Sequence, residues 1–370
     1  MPDGFLLSRV LLRFEQTSED LLGDLSAAAL TPDGNLWVGS DEFTTLERLT
    51  PIAPYIYGDH RTYALDEFVS LANPEDEIDI EGLDYAEGYL WLTGSHSTKR
   101  KKVKGKKTAK DIERIETIKR EDNRYLLARI PILGGELLKS CTDPEQPDHS
   151  RHAASLRHAG TGNLLTEALA DDNHLGPFLS FPLPSKENGF DIEGLAVRGD
   201  RVFLGLRGPV LNGWAMIVEI AVAESDAGVL TLKPIGPSDA LYKKHFVDLN
   251  GLGIRELCFL EEDLLILAGP TMTLEGAMRV FRLQGILEQP SDSLSSQDSD
   301  DLEVLFDLPL TIGSDHAEGL TLFPCLDHNS ALMVVYDDPN AARRSDAHSV
   351  YADVFRLPLS PLYRAQPPYE

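Results

Sequence analysis

One short phrase occurs five times in this 370-residue chain, and recurrence at such spacing confines the fold to a repeat architecture. The copies are Asp24-Leu25-Ser26-Ala27-Ala28, Asp79-Ile80-Glu81-Gly82-Leu83, Asp191-Ile192-Glu193-Gly194-Leu195, Asp248-Leu249-Asn250-Gly251-Leu252 and His316-Ala317-Glu318-Gly319-Leu320. The shared pattern is acid, apolar, acid or its amide, Gly, Leu, then an apolar run that favours β-structure. After each copy a strand-like run leads to a turn and a second strand. In the first unit the turn is Pro32-Asp33-Gly34-Asn35 and the second strand is Leu36 to Ser40; in the third the turn is Arg198-Gly199-Asp200. Turn residues between β-rich runs read as hairpins.

Third strands are expected at Leu46 to Leu49, Tyr125 to Ile130, Ala215 to Val222, Ala277 to Leu283 and Val350 to Leu357. Fourth strands are expected at Phe68 to Leu71, Val229 to Lys233 and Leu302 to Leu308. The last unit lacks a fourth strand, and Leu7 to Phe14 at the other chain end supplies one. Pairing the chain ends in this way closes a ring and removes a free edge. The fold expected is all-β, a single β-propeller domain over residues 1–370 built of four-stranded blades. An N-terminal strand at about 7–14 completes the last blade, at about 316–358.

The phrases are spaced 55, 112, 57 and 68 residues apart. Five blades is the favoured count, with six as the alternative, because the long gap reads as insertions at 99–121 and 141–188. Thr108 to Glu121 and Ala154 to Leu169 have helical spacing within it. Ser291 to Asp301 reads as a mobile Ser/Asp-rich loop.

Each phrase opens an innermost strand, and the second strand returns antiparallel, so two sets of residues meet on one face around the axis. The acids and amide of that face, Asp79, Glu81, Asp191, Glu193, Asp248, Asn250 and Glu318, form a candidate oxygen-only site for Ca²⁺ or Mg²⁺. Crowded carboxylates must otherwise be hydrogen-bonded, paired with Arg or Lys, or protonated, and an Asp at a strand start can serve as a turn cap. The third-position residues Glu81, Glu193 and Glu318 fit a turn cap least. From the ends of the second strands come His96, Arg207 and Asp337. His96 is a candidate acid–base group or, alternatively, a satisfied rim residue. Arg207 would bind a carboxylate or phosphate, or else pair with a phrase acid.

The formal net charge of −26 argues against general nucleic-acid binding, which needs cations to replace counterions on phosphate. Eight basic residues are nevertheless gathered between Lys99 and Lys110, as a solvated loop or as a basic flap over the acidic face. No apolar run reaches membrane-spanning length, so no membrane partner is expected. The N-terminus has no basic region before its apolar run, so no signal peptide is read. Three cysteines, an odd number without metal-site spacing, complete the expectation of a cytoplasmic, disulfide-free protein.

In combination, Asp79 to Gly82, Gly94-Ser95-His96-Ser97 with the Lys-rich run, Asn188 to Ala196, Leu206-Arg207-Gly208-Pro209 and Tyr336-Asp337-Asp338-Pro339 resemble a bacterial family catalogued as domain-of-unknown-function family 3616. The resemblance covers nearly the whole chain and implies a bacterial propeller without an assigned activity. The Glu-Gly-Leu phrase is also similar to that of phytase-like, esterase-like propellers and of SdiA-regulated proteins. Two functions are weighed, with nucleic-acid binding through the Lys-rich loop ranked below both. One is a metal-dependent hydrolase of phosphate or carboxylate esters, with no Gly-x-Ser-x-Gly or His-Glu-x-x-His motif to support it. The other is a non-catalytic propeller binding a small molecule, peptide or protein on the same face.

Overall fold

The computed structural model describes residues 5–15, 21–73, 76–144, 146–181, 183–326 and 328–358. The chain ends that the single-domain expectation included lie outside these. The chain is a β-propeller. Its described residues form five four-stranded units, whose inner strands are Leu25–Leu30, Ile80–Ala86, Asp191–Arg198, Gly253–Leu260 and His316–Cys325. Each inner strand packs against the next, and the fifth packs against the first. Five hydrophobic clusters fill the spaces between neighbouring units; Trp37 lies between units one and two, and Trp91 between two and three. Strands that pack on both faces must be apolar on both, which explains the near-continuous apolar runs after each phrase.

The N-terminal strand Leu6–Arg13 pairs antiparallel with Ser349–Arg356 as the outer strand of the last unit. It also touches Ile56–Ala64 of unit one in parallel, joining the two chain ends. That outer strand of unit one, Ile56–Ala64, replaces the one expected at Phe68 to Leu71. The hairpin turn Pro54-Tyr55 directs the chain straight back along Thr45–Ala53, with Tyr55 at a φ of 58°.

The long gap holds no further unit among the described residues, because Ile80–Ala86 packs directly on Asp191–Arg198. It contains a flap and a peripheral excursion. The flap is a two-residue ladder, Lys99–Arg100 with Ile118–Lys119, carrying the helix Thr108–Glu116 at its tip. The helical reading of 154–169 holds only for Leu164–Leu169, capped by Asn163; Ala154–Leu156 is the outer strand of unit two. In the Ser/Asp-rich segment, Ser293–Ser295 is a strand paired with 245–247, followed by the one-turn helix Gln297–Ser299.

Candidate functional site

Every inner strand carries a break in register beside the third position of its phrase. The breaks fall at Leu25/Ala27, Ile80/Gly82, Ile192/Gly194, Ile254/Glu256 and Ala317/Leu320. A bulge leaves the extra residue out of the ladder and re-aims its side chain. The third positions are therefore Ser26, Glu81, Glu193, Arg255 and Glu318. In unit four this corrects the reading from sequence: the equivalent of the phrase is Gly253-Ile254-Arg255-Glu256-Leu257, not Asp248 to Leu252. Asp248 ends a strand that pairs with Trp214 at the periphery, and Asn250 is exposed, accepting from Gln297 at 3.3 Å. Neither lines the axial cavity.

Glycine at the fourth position follows from the same packing. A Cβ on Gly82 would lie 2.6 Å from Cβ of Leu195, and one on Gly194 would lie 2.8 Å from Cγ of Leu257. The neighbouring inner strand occupies the space a side chain would need.

Three buried guanidinium groups organise the acids. Arg207 reaches Asp191 at 2.6 Å and Glu193 at 2.5 Å. Arg255 pairs with the other oxygen of Glu193 at 3.0 Å and with Glu318. Arg124, brought in by the turn Asp122–Tyr125, holds Asp79 at 2.5 Å and pairs with Glu77 and Glu121. Asp79 itself sits at a φ of 60°, and its carbonyl accepts from the Ser95 amide at 3.1 Å. Neither Arg124 nor Arg255 was legible as a site residue. Arg124 enters from outside every repeat, and Arg255 occupies an acid's position in a unit whose phrase was read five residues early.

Burial still pushes the paired acids up, Asp79 and Asp191 each to about 6, and Glu193 and Glu318 in the same direction. Two of the acids make no ion pair among the described residues. Glu81 makes no hydrogen bond or ion pair among the described residues; burial, then Glu193, Asp79 and Glu318, raises it well above the usual range. Asp41 directly follows the second strand of unit one, which ends at Ser40. Its Oδ1 is buried without a partner, and burial with Glu318 and Asp79 pushes the group up to about 9. Asp337, equivalent to Asp41 in unit five, lies 3.9 Å from His316.

These groups line an axial cavity of about 570 Å³. The buried or half-buried Asp41, Glu81, Glu193, Arg207, Glu318 and Asp337 form its deeper wall, and the flap residues Lys101, Lys102, Val103 and Ile115, mostly exposed, lie across it with the exposed Lys186. The basic run is thus a flap over the acidic face. It is anchored by Lys99 to Glu77 and Glu121, and by a two-pronged contact from Arg100 to Glu187.

His96 is not in this cavity. Its Nδ1 donates to the Gly94 carbonyl at 2.8 Å, so Nε2 accepts from Asn163 at 2.7 Å. Burial lowers the ring to about 4, leaving it a neutral strut beside a separate cavity of about 280 Å³. Among the described residues, no three His, Cys, Asp or Glu side chains converge as a metal site. No described helix is long and apolar enough to cross a membrane.

No curated protein matches this chain. Solved structures align over most of its length at low identity. Virginiamycin B lyase from Staphylococcus aureus shares 8% identity at a TM-score of 0.36, covering 95% of this chain and 99% of that one. The PQQ-bound aldose sugar dehydrogenase from Streptomyces coelicolor shares 12% at 0.34, covering 94% and 99%. A luciferin-regenerating enzyme shares 8% at 0.37, covering 95% of each chain. Likeness at that level assigns no activity here. The model of one family of proteins of unknown function, DUF3616, matches residues 24–353, and the chain belongs to that family.

Proposed function

We propose that the axial cavity binds a small molecule or peptide that presents a cationic group to Asp41 and Glu81. The observation that carries this reading is the pair of acids at the deeper wall that make no ion pair among the described residues. Arg124, Arg207 and Arg255 are already committed to Asp79, Asp191, Glu193 and Glu318. Among the described residues Asp41 and Glu81 make no ion pair, and only from farther off do Arg207 and Arg255 act on Glu81. Burial therefore holds both groups toward the protonated form, and an ammonium or guanidinium ligand would favour their carboxylates and gain charge-assisted hydrogen bonds.

The metal-dependent hydrolase is the weaker reading. Ca²⁺ takes about six to eight oxygen ligands. Here the arginines already neutralise four of the phrase acids, Asp248 and Asn250 lie elsewhere, and His96 is sequestered. Those residues do not fit a closed Ca²⁺ site, and no catalytic step is built on one.

The test is calorimetric titration of the whole protein with pentylammonium, pentylguanidinium, Ca²⁺ and Mg²⁺, beside assays on phosphomonoesters and lactones. Binding of the organic cations, abolished in Asp41→Asn and Glu81→Gln variants that keep the native circular dichroism, is the expected result. Absence of that binding, or its survival in both variants, overturns the reading. Tight Ca²⁺ or Mg²⁺ binding accompanied by turnover would establish the hydrolase instead.

A further inference from the structure

The cavity is lined by acids from the propeller and by basic groups from the loops over it. The acids without an ion pair among the described residues, Glu81 on an inner strand and Asp41 just after the second strand of unit one, belong to the propeller itself, at its deeper wall. Unpaired ammonium groups belong to the loops at its mouth. Lys101 and Lys102 come from the flap, and Lys186 from the facing segment that supplies Glu187. None of the three lysines makes an ion pair among the described residues, although Lys186 lies near enough to Glu318 to lower it; Lys99 and Arg100, immediately before Lys101, are both spent on anchoring the flap.

The placement of the flap does not depend on its lysines at the mouth. Its ladder, the contact from Arg100 to Glu187 and the bond from Arg114 Nε to the Lys102 carbonyl at 2.5 Å hold it across the cavity. Lys101 and Lys102 are therefore held near the opening by other groups while their own charges stay available. Arg207, more than nine-tenths buried and lining the cavity, likewise keeps its Nε without a partner. A cation directed inward satisfies only the deeper half of this arrangement.

We infer that the ligand is zwitterionic: an ammonium or guanidinium end directed at Asp41 and Glu81, and a carboxylate or phosphate end held at the mouth by Lys101, Lys102 and Lys186. This rests on the reading that the cavity binds a cation, and it adds the chemistry of the ligand's other end. It also assigns the basic flap a role in an otherwise strongly acidic protein. Cations at a cavity mouth steer anionic groups toward it, while the acids behind them set the orientation in which the ligand enters. The cavity is of the size that holds a small ligand, roughly 300–1,000 Å³ in general.

The experiment compares probes of matched length: pentylammonium, 5-aminopentanoate and pentanoate, with phosphoethanolamine against ethylammonium as the phosphate arm. Each is titrated into the full-length protein and into a Lys101→Ala/Lys102→Ala/Lys186→Ala variant. Exposed and half-exposed pairs are individually weak, so three together should favour the zwitterion over the plain cation by about fivefold to tenfold. That advantage should fall within about twofold of unity in the triple variant and shrink with added salt. In the same variant the plain cation should bind no more weakly, because the mouth has become less positive; this shows that the site is still folded. Whichever of the carboxylate and phosphate probes keeps the larger advantage identifies the anionic end.

Equal binding of zwitterion and cation overturns the inference and leaves the cation-binding reading standing. So does an advantage that survives loss of all three lysines. Strongest binding by pentanoate overturns the inference together with the orientation it assumes. Failure of every cation to bind sinks the underlying reading itself.

Discussion

Asp41 sits where burial and the neighbouring Glu318, Asp79, Asp337 and Asp24 push its carboxyl up to about 9, against 3.8 for the ordinary group. Between those values the folded protein holds a proton that the unfolded chain has released. Rising pH therefore favours unfolding throughout the window. The contribution of this group is fully present below about pH 4 and lost toward about pH 9. Asp84 acts in the same direction over a narrower window, because burial raises it to about 7 although it accepts from the Val197 amide at 2.7 Å. An Asp41→Asn change removes one titration from both states. Its gain in stability over wild type should be larger near about pH 8.5 than near about pH 6, as read from urea midpoints. An equal gain at both would mean that Asp41 is already ionised in the folded protein. Residues of this kind were only partly legible in the sequence. Glu81, Glu193 and Glu318 were marked because a Glu at a strand's third position is a poor turn cap. His96 looked equivalent to them by its place after a second strand. Its φ of 55° instead turns it away to Asn163, and such a backbone reversal leaves no trace in spacing.

At the scale of the strand, the repeated phrase proves to encode a bulge and a close approach. The third residue is expelled from the ladder, and the fourth lies against the adjacent inner strand: it is small in four units, whereas in unit four Glu256 instead accepts from the Leu195 amide of the neighbouring strand. Gly319 shows the tightest case, since an added Cβ would lie 2.9 Å from the Ala27 carbonyl carbon and closer still to Val335. Backbone cannot rotate aside as a side chain can. A Gly319→Ala change should therefore destabilise the protein by about 1–3 kcal/mol through overpacking. Gly134→Ala, at a site open in space with a φ of 60°, is the comparison that isolates backbone strain from contact. Thermal denaturation of the two variants decides it: a smaller loss at Gly319 than at Gly134 would contradict the close-packing account. Strand content and hairpins were readable because alternation and turn residues are local. The register of unit four was not, since Asp248-Leu249-Asn250-Gly251-Leu252 matches the phrase in composition better than Gly253-Ile254-Arg255-Glu256-Leu257 does. What selects the latter is pairing with Asp263–Gly269, where Ile254 faces Ala268 and Leu257 faces Ile266. That choice depends on contacts between strands, which composition does not report.

At the scale of the molecule, the joining of the chain ends is the step on which the ring depends. Leu6–Arg13 lies between the last unit and the first, hydrogen-bonded to Ser349–Arg356 over nearly its whole length and to Ile56 and Tyr57 on its other edge. Val10 and Leu12 are fully buried in the cluster that those two units share. The other four junctions are made by chain-adjacent units and are held by continuity as well as by packing. The joint between first and last is held by packing and strand pairing alone, so it has the largest loop to close and the most to lose from a cavity. Leu12→Ala should cost about 2–5 kcal/mol for a fully buried leucine. The loss should also be uneven around the ring. Amide exchange under native conditions should accelerate first in Leu6–Arg13, Ser349–Arg356 and Ile56–Ala64. The strands on the far side, including Asp191–Arg198 and Arg201–Gly208, should keep wild-type protection until global unfolding. Because Asp41 and Asp337 belong to the two units at this joint, opening there also separates two walls of the axial cavity. Ligand affinity should then fall in Leu12→Ala by the fraction of molecules in which the joint is open. Uniform acceleration of exchange in all five units would show instead that the ring opens only by unfolding as a whole, and affinity would then track global stability.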